Sequence, residues 1–565
     1  MNMKNKKDTS GAWWKEAIVY QIYPISFQNS NGDGTGDLRG IIDRLDYVKS
    51  LGIDVIWLNP IFKSPNDDNG YDVSDYCEIM DEFGTMSDFD ELLGKAHDMG
   101  IKIILDLVIN HYSDEHPWFM EARKSRDSKY YDYYHWWPAE KGTPAYRESY
   151  FDVDGNAWKY NKDTDSYYLH YFSVKQPDLN WENPELRQEI YKIMRFWFDK
   201  GVDGFRMDSI SYISKDTDFP EVDRTMYPYI FDYCALNPTL HSHLQEMNRE
   251  VLSKYDIMTV GEGSSVCKSE VSKFVDPDRN ELQIMYHFGP SEIRNYTGPD
   301  APSTGIEYSL LKFKQMFTEW DNAIGEGWPT IYLGNHDQPR MISRFGSDDH
   351  KYHVISAKML TMFILTMRGT PFWYAWDEIG MSNIKFSRIE DYRDISTLNG
   401  YEHARKMRGN LKKFLENQKN TSRDNARTPF QWDASDNAGF TTGTPWIKVN
   451  PNYKKYNAMD ESKDTESILN FFRKTIRLRK EHKALIYGQY ILLDSKNIHT
   501  YSYLREYKNE RYLISLNFTP KEAISRTGVN TENGEVVLKN YDDFKLKDIK
   551  GKITLRPFET VVIKL

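Results

Sequence analysis

The segment GFRMD, residues 204–208, ends a short apolar run with an arginine and an aspartate. Three other segments end in a similar way: ILDLVINH at residues 104–111, TVGEG at 259–263 and GNHDQPR at 334–340. A carboxylate at the end of a buried strand is costly unless it has a function, although a single aspartate there often caps the next helix. Four such segments in series predict strand ends that meet at one site.

The surrounding sequence alternates short apolar runs with longer helical patterns, which indicates repeated βα units. Eight such units predict a (β/α)8 TIM barrel, in which catalytic groups lie on the loops that follow the strands. A doubly wound open sheet has a similar alternation, but it would not collect four polar strand ends on one rim. The candidate strands are residues 18–23, 55–58, 102–108, 204–207, 257–261, 282–287, 330–333 and 369–374.

Three parts of the chain interrupt this alternation and predict its domain organisation. Residues 14–108 and 183–485 form the two parts of the barrel domain, and residues 109–182 form an inserted domain after the third strand. A further insertion covers about residues 376–455, after the eighth strand. Short alternating runs return in residues 486–565, which predicts a C-terminal antiparallel β-sandwich.

Composition narrows the range of functions. The 565-residue chain has a net charge of -11, which argues against a nucleic-acid or anionic-membrane partner. Three cysteines without metal-ligand spacing argue against a disulfide framework. The N-terminus has no apolar run of the kind found in signal peptides, so we expect a cytoplasmic protein, or a periplasmic or secreted one if a signal peptide has been removed. We expect the protein to be a monomer or a homodimer.

Together these segments resemble the signature regions of the α-amylase family, glycoside hydrolase family 13, from about residue 14 to the C-terminus. The resemblance implies that Asp208 is the nucleophile, Glu262 the general acid/base and Asp337 a third carboxylate that binds the sugar hydroxyls. Arg206 lies two residues before Asp208 and therefore on the same face of its strand, where its charge favours the ionised aspartate. Taken singly, each of these residues could equally be a capping or structural residue.

The resemblance also identifies residues that bind the substrate. His111 and His336 would hydrogen-bond the hydroxyls of the sugar at the cleaved end. NDDNGY at residues 66–71 resembles the segment in which Asp68 and Tyr71 contact the terminal glucose of exo-acting enzymes. DNARTPFQWD at residues 424–433 resembles the segment whose arginine, here Arg427, pairs with that aspartate. An Asp68–Arg427 pair would close the pocket behind one terminal sugar.

Two features bear on linkage. QPDLN at residues 176–180 resembles a segment typical of oligo-1,6-glucosidases and their relatives. Ser209, which follows the nucleophile, occupies a position where relatives selective for α-1,6 bonds carry Val and those selective for α-1,4 bonds carry Thr or Ala. The small, polar Ser209 is similar to the second group. The segment at residues 286–298 also differs from the pattern of oligo-1,6-glucosidases. The preference between α-1,4 and α-1,6 bonds therefore stays open.

The segment NSNGDGTGD, residues 29–37, predicts a weak cation site. Its oxygen-bearing residues alternate with glycines as in an EF-hand loop, but the acid that would complete such a loop is replaced by Gly40. Ca²⁺, Mg²⁺ and water are alternative occupants, and a turn that binds nothing is a further one. We expect no organic cofactor. The candidate ligands are Asn29, Asn31, Asp33, the Thr35 carbonyl and Asp37.

We therefore expect a retaining, exo-acting α-glucosidase that releases α-glucose from the non-reducing end of short α-1,4- or α-1,6-glucosides. Alternatives within the family are a sucrose-active hydrolase or isomerase, a transglucosidase and a trehalose-6-phosphate hydrolase. An Arg-rich run before GNHD, which sucrose isomerases carry, is absent. The alternative of another class is a catalytically inactive binding subunit. That class loses catalytic carboxylates, whereas all three are kept here.

Overall fold

Eight parallel strands close into a barrel in the computed structural model, which describes residues 11–151, 155–235, 237–293, 307–546 and 551–565. Each strand pairs with its neighbours in the chain, and the first pairs with the last, so the sheet has no free edge. The predicted (β/α)8 barrel is confirmed. The strands are β1 (Val19–Ile22), β2 (Val55–Leu58), β3 (Lys102–Val108), β4 (Gly204–Asp208), β5 (Met258–Gly263), β6 (Ile284–His287), β7 (Trp328–Ile331) and β8 (Thr370–Tyr374).

Helices cover the outside of the barrel. In the helix Pro184–Lys200, Asn183 caps the first turn, and Leu186, Ile190 and Trp197 are buried along one face at helical spacing. Gly201 ends this helix in the left-handed conformation. The principal helices of the layer are Leu38–Asp43, Leu45–Leu51, Met86–Asp98, Pro184–Lys200, Thr239–Glu250, Val271–Val275, Leu310–Ala323, Met341–Phe345, His353–Thr366 and Ile468–Glu481.

Side chains along the strands alternate between the barrel interior and the helix layer. Val19, Trp57 and Val260 pack in one apolar cluster inside the barrel, whereas Tyr20 and Phe205 pack in the cluster that includes the helices. On the inward face of each of these strands, the side chain two positions after the apolar cluster is polar and still buried. The polar residues of this inward layer are Gln21, Asn59, Asp106, Arg206 and Glu262.

The interruptions seen in the sequence form additional structures beside the barrel. Residues 109–182 contain the helix Pro117–Ala122 and a three-stranded sheet of Trp136–Pro138, Trp158–Asn161 and Ser166–Leu169. After β8 come the helices Ile395–Lys406, Leu411–Thr421 and Asp424–Arg427. The C-terminal part is antiparallel, with a five-stranded sheet of Gln489–Leu493, Thr500–Tyr507, Glu510–Asn517, Thr560–Lys564 and Glu535–Lys539 and a two-stranded sheet of Ala523–Arg526 and Lys552–Leu555.

Two expectations drawn from composition concern cysteines and membranes. Cys77, Cys234 and Cys267 are all free thiols in the structure, which agrees with the expected lack of a disulfide framework. In the described part of the chain, no helix combines the length and the apolar character needed to cross a membrane.

Candidate active site

A cavity of about 670 Å³ opens at the carboxyl ends of the barrel strands. Its walls come from the strand ends, from the inserted segment at residues 109–182 and from the helices that follow β8. Three predicted residues, Arg206, His336 and Arg427, are buried behind the wall and bond to residues that line it. The predicted residues that line the cavity are Asp68, Tyr71, His111, Asp208, Ser209, Glu262 and Asp337.

The guanidinium of Arg206 holds three carboxyl groups together at the barrel rim. Its Nη1 donates to Asp208 Oδ1 at 2.8 Å and to Asp106 Oδ1 at 2.6 Å, and its Nη2 lies 2.6 Å from Glu262 Oε1. The predicted contact between Arg206 and Asp208 is therefore present. Asp106 is a functional residue that the sequence analysis missed. The signal was its place in ILDLVINH, in register with Arg206 on the neighbouring strand.

Glu262 has the environment of a general acid. Burial raises the pKa of its carboxyl group, Arg206 lowers it and Asp208 raises it, and the resulting pKa is about 8. The backbone N–H of Ser209 donates to Glu262 Oε2 at 2.8 Å. A carboxyl group with this pKa carries a proton at neutral pH and can deliver it to a leaving oxygen. Ser209 thus contacts the acid through its backbone as well as following the nucleophile in sequence.

Asp337 has the opposite environment. Its Oδ1 accepts hydrogen bonds from Arg427 Nη2 at 2.9 Å and Arg423 Nη1 at 3.2 Å, and its Oδ2 lies 3.1 Å from His336 Nε2. Burial by itself would raise its pKa, but His336 and the two arginines hold the pKa of Asp337 well below its ordinary value. A permanently ionised carboxylate suits the binding of hydroxyls and the stabilisation of positive charge on a sugar ring.

The arginine that closes the pocket is Arg423, and the predicted Asp68–Arg427 pair is wrong. Arg423 Nη2 lies 3.1 Å from Asp68 Oδ1, whereas Arg427 pairs with Asp337. The two arginines are one helical turn apart across the short helix Asp424–Arg427, so both reach the same pocket. Sequence alone does not tell which of them meets which carboxylate.

Further contacts distinguish these two arginines. Arg427 is fully buried and donates from Nε to the carbonyl of His336 at 3.0 Å. Arg423 makes an additional ion pair of 2.7 Å with Asp394 and lies over the ring of Phe151, 5.0 Å from its centroid.

The pKa of Asp68 is about 7, above its ordinary value. Burial raises this pKa, and the positive charge of Arg423 only partly offsets the effect of burial.

His336 is a neutral donor in this site, because burial lowers its pKa to about 3. Gln21 Nε2 lies 2.8 Å from His336 Nδ1 and also donates to Asn59 Oδ1. The nitrogen of a glutamine side chain can only donate, so the imidazole proton is on Nε2. That N–H faces Asp337 and the hydroxyl of Tyr71, which is 2.7 Å away. The ring of Tyr71 stacks on His336 with centroids 5.3 Å apart. The stacking of Tyr71 on a sugar stays a prediction.

The QPDLN segment positions His111. Asp178 forms a buried ion pair of 2.9 Å with Lys215, and Lys215 also donates to Asn110 Oδ1 at 2.6 Å. This orients the amide of Asn110, whose Nδ2 lies 3.2 Å from His111 Nδ1. His111 Nε2 lies 3.1 Å from the carbonyl oxygen of Tyr71 and 3.2 Å from the side-chain nitrogen of Gln176, which belongs to the same QPDLN segment. Lys215 and Asp178 are thus structural supports of the site.

Aromatic side chains surround the mouth of the cavity. Tyr150 is 63% exposed and packs edge-on against Phe151, with ring centroids 5.0 Å apart. Tyr229 is exposed beside it, on a segment tied to the inserted domain by the ion pair Arg224–Glu148. The sequence analysis noted the aromatic content but did not locate these residues. The aromatic residues that line the cavity are Tyr71, Tyr150, Phe151, Phe172, Tyr212, Tyr229, Phe231 and Phe288.

The five predicted cation ligands do lie together in the loop at residues 29–37. The side-chain nitrogen of Asn29, however, is within 3.5 Å of oxygens from Asn31, Asp33, Thr35 and Asp37. Among the residues the structure describes, no group of three or more His, Cys, Asp or Glu side chains is arranged to hold a metal ion.

The segment at residues 286–298, which bears on the linkage preference, is described only as far as residue 293. The rest of the prediction made for it lies outside the described residues.

Comparisons with known proteins agree with this geometry. The family model described as the alpha amylase catalytic domain matches residues 21–488. An oligo-1,6-glucosidase from Parageobacillus thermoglucosidasius is 50% identical over 98% of this chain and 99% of its own. A trehalose-6-phosphate hydrolase from Bacillus subtilis is 43% identical, with 98% of each chain covered.

A solved structure extends the comparison to the fold. It is an inactive double mutant of MutB in complex with isomaltulose. It superposes with a TM-score of 0.92 at 40% identity, over 98% of this chain and 99% of that chain. The similarity therefore covers the barrel, both insertions and the C-terminal sheets.

Proposed function

The chain belongs to the α-amylase family, and we propose that it is a retaining, exo-acting α-glucosidase acting on short α-1,4- and α-1,6-glucosides. The observation that carries the proposal is the pair of carboxyl groups on Arg206. Asp208 is held beside a fixed positive charge, whereas Glu262 has a pKa raised to about 8. Two carboxyl groups with separate protonation states are what glycoside hydrolysis requires.

The reaction follows from these two environments. Asp208 attacks the anomeric carbon and forms a glycosyl ester while Glu262 gives its proton to the leaving oxygen, which departs as the alcohol. Glu262, now ionised, takes a proton from water as that water attacks the ester. The ester bond breaks, Asp208 is released as a carboxylate and the sugar leaves with its original α configuration. Two carboxyl groups and water suffice, and no organic cofactor takes part.

The exo mode rests on the inner end of the cavity. The ion pairs Arg423–Asp68 and Arg427–Asp337 lie behind the catalytic carboxyl groups and present charged oxygens and nitrogens to a sugar. Such groups suit the hydroxyls of one non-reducing terminal glucose, and the pairs block the passage of a longer chain on that side. We therefore expect glucose as the product and little action on starch.

Three measurements test the nucleophile and the stereochemistry. An NMR time course with an aryl α-glucoside should show α-glucose first, and β-glucose should appear only by mutarotation. Asp208→Asn should lower kcat by several orders of magnitude while the thermal unfolding midpoint stays near that of the wild type. In Asp208→Ala, azide should take the place of the carboxylate and give the β-glucosyl azide from an aryl α-glucoside. β-Glucose as the first product, or an active Asp208→Asn enzyme, would contradict the proposal.

The similarity to MutB favours a second candidate, a sucrose-active enzyme that hydrolyses or isomerises its substrate. Incubation with sucrose separates the cases: an isomerase retains most of the fructose in a new disaccharide, whereas a hydrolase releases glucose and fructose in equal amounts. A phosphorylated substrate is disfavoured by charge. Arg423 is the cationic side chain among the described residues that line the cavity, which also carry six carboxyl groups: Asp68, Glu148, Asp208, Glu262, Asp337 and Asp394.

Location and assembly stay predictions. We expect a cytoplasmic monomer or homodimer that encounters imported disaccharides and short oligosaccharides. Cell fractionation and size-exclusion chromatography with light scattering test the two parts of this expectation separately. An inactive binding subunit is excluded from the proposal because Asp208, Glu262 and Asp337 are all present in the cavity.

A further inference from the structure

The loop at residues 29–37 folds around the side-chain amide of Asn29. Its Nδ2 donates to the Thr35 carbonyl at 2.6 Å, to Asn31 Oδ1 at 2.9 Å and to Asp33 Oδ1 at 3.0 Å. Asp37 Oδ2 lies 3.5 Å from the same nitrogen. These four oxygens are the ones that the EF-hand-like pattern offers to a cation, and here they converge on a nitrogen of the protein itself.

The orientation of this amide is fixed by its other end. Asn29 Oδ1 accepts from the backbone N–H of Gly32 at 2.9 Å and from the hydroxyl of Thr441 at 2.6 Å. Thr441 Oγ1 accepts from the N–H of Gly443, so its own proton is directed to Asn29. Exchanging the amide nitrogen and oxygen would place an NH₂ group against the N–H of Gly32 and the hydroxyl proton of Thr441. The nitrogen therefore faces the ring of oxygens.

This arrangement does not fit a calcium or magnesium ion. Such ions bind oxygen at about 2.0–2.6 Å and need several carboxylates for affinity, but the ring contains a nitrogen donor where the ion would lie. Of the five candidate ligand residues, only Asp33 and Asp37 carry a formal charge. The two hydrogens of the Asn29 amide share these oxygens with backbone N–H groups: the N–H of Asp33 donates to Asn31 Oδ1, that of Thr35 to Asp33 Oδ1 and that of Ser30 to Asp37 Oδ2. Donors of the protein thus already satisfy the oxygens that a cation would otherwise neutralise.

We propose that the amide of Asn29 replaces the bound cation, so that the enzyme folds and works without Ca²⁺ or Mg²⁺. We propose also that Asn29→Asp creates a divalent-cation site. An aspartate would direct an oxygen, in place of the nitrogen, at four other oxygens. Their mutual repulsion would then be relieved only by a cation in the centre.

The loop matters because it supports the catalytic end of the barrel. The N–H of Asn29 donates to the carbonyl of Phe440 at 3.1 Å, and the N–H of Trp446 donates to the carbonyl of Gly34 at 3.0 Å. Gly34 has a φ of 97°, and a side chain there would collide with the backbone of Thr444. The loop and residues 440–446 are therefore one packed unit.

This unit leads directly to an arginine of the site. Trp446 Nε1 donates to Ser26 Oγ at 2.9 Å, and Ser26 Oγ donates to the carbonyl of Arg427 at 2.6 Å. A loop that depended on a cation would make the position of Arg427 depend on it too. With the Asn29 amide in the ring, that dependence is removed.

The test is thermal unfolding of the full-length protein, first in EDTA and then in millimolar CaCl₂ or MgCl₂. The wild-type midpoint should be the same in all three solutions, and calorimetric titration with CaCl₂ should give no saturable heat. Asn29→Asp should unfold several degrees lower in EDTA and recover about 2–5 °C with CaCl₂, as expected when an ion binds only the folded state. Asn31→Asp is the matched control: it adds the same charge to the ring but keeps the Asn29 amide, so it should gain no cation response.

The outcomes are decisive in either direction. A wild-type midpoint that rises with CaCl₂ or MgCl₂, or saturable binding by the wild type, overturns the proposal. So does an Asn29→Asp protein whose response equals that of Asn31→Asp. If Asn29→Asp folds only when CaCl₂ is present, the proposal is supported. If it never folds, the wild-type measurements alone decide. None of these readouts uses enzyme activity, so their failure is distinct from a failure of the proposed function.

Discussion

The alkaline side of the pH profile tests the role of Glu262. The general acid must be protonated in the free enzyme, so kcat/KM should fall as pH rises through its pKa of about 8. With that pKa, about nine tenths of the enzyme carries the proton at pH 7 and about one tenth at pH 9. An acid with the ordinary pKa near 4.5 would be protonated in only about 0.3% of molecules at pH 7. The raised pKa thus increases the active fraction about 300-fold at neutral pH.

The assay is glucose release from maltose between pH 6 and pH 10, with kcat/KM measured at each pH. Above pH 8 we expect a decline of about tenfold per pH unit. An aryl α-glucoside with a good leaving group needs little protonation, so Glu262→Gln should retain far more activity on it than on maltose. On maltose, Glu262→Gln should lose about 10²–10⁴-fold in kcat.

Glu148→Gln provides the matched control for this prediction. Glu148 also lines the cavity, but it pairs with Arg224 and Arg224 lowers its pKa. The alkaline decline should therefore persist in Glu148→Gln and disappear in Glu262→Gln assayed on the aryl glucoside. Persistence of the decline in Glu262→Gln would refute the assignment, and so would a flat wild-type profile up to pH 10.

Three further predictions test other parts of the site. Arg423→Gln should lower kcat/KM for maltose by about 10²–10³-fold, because Asp68 loses its partner in a buried pocket. Arg423→Lys should recover only part of the lost kcat/KM. Equal activity of the wild type and both variants would contradict the pairing of Arg423 with Asp68. Ser209→Val should raise the isomaltose-to-maltose ratio of kcat/KM by roughly tenfold, and an unchanged ratio would move the search for the selector to residues 286–298. Lys215→Met should lower the free energy of unfolding in urea by about 3–5 kcal/mol, because Asp178 is left as an unpaired buried charge. Adding Asp178→Asn to the same chain should restore part of the lost stability.

The barrel was predictable because its sequence periodicity is strong. The predicted strands at 55–58 and 102–108 coincide with β2 and β3. The prediction at 330–333 is two residues late, because β7 begins at Trp328. Trp328 pairs in register with Ile284 of β6, and this pairing between neighbouring strands is not visible in the local sequence.

The site was predictable where a residue sits at a strand end and less so where a loop folds over it. Asp208 and Glu262 end the apolar runs of β4 and β5, where the family resemblance implies a nucleophile and an acid. Arg423 does not, because it comes from a segment more than 40 residues beyond β8. Likewise the loop at residues 29–37 shows a cation pattern in sequence, and only the rotamer of Asn29 reveals that a nitrogen faces the ring.

The guanidinium of Arg206, which contacts both the nucleophile and the acid, also explains how Glu262 can serve as acid and then as base. The negative charge of Asp208 is among the causes that raise the pKa of Glu262. When Asp208 becomes a glycosyl ester that charge is lost, while Arg206 keeps its contact of 2.6 Å with Glu262 and continues to lower its pKa. The pKa of Glu262 must therefore fall in the covalent intermediate. A lower pKa is what the second half of the reaction needs, since Glu262 must then be ionised to take a proton from water.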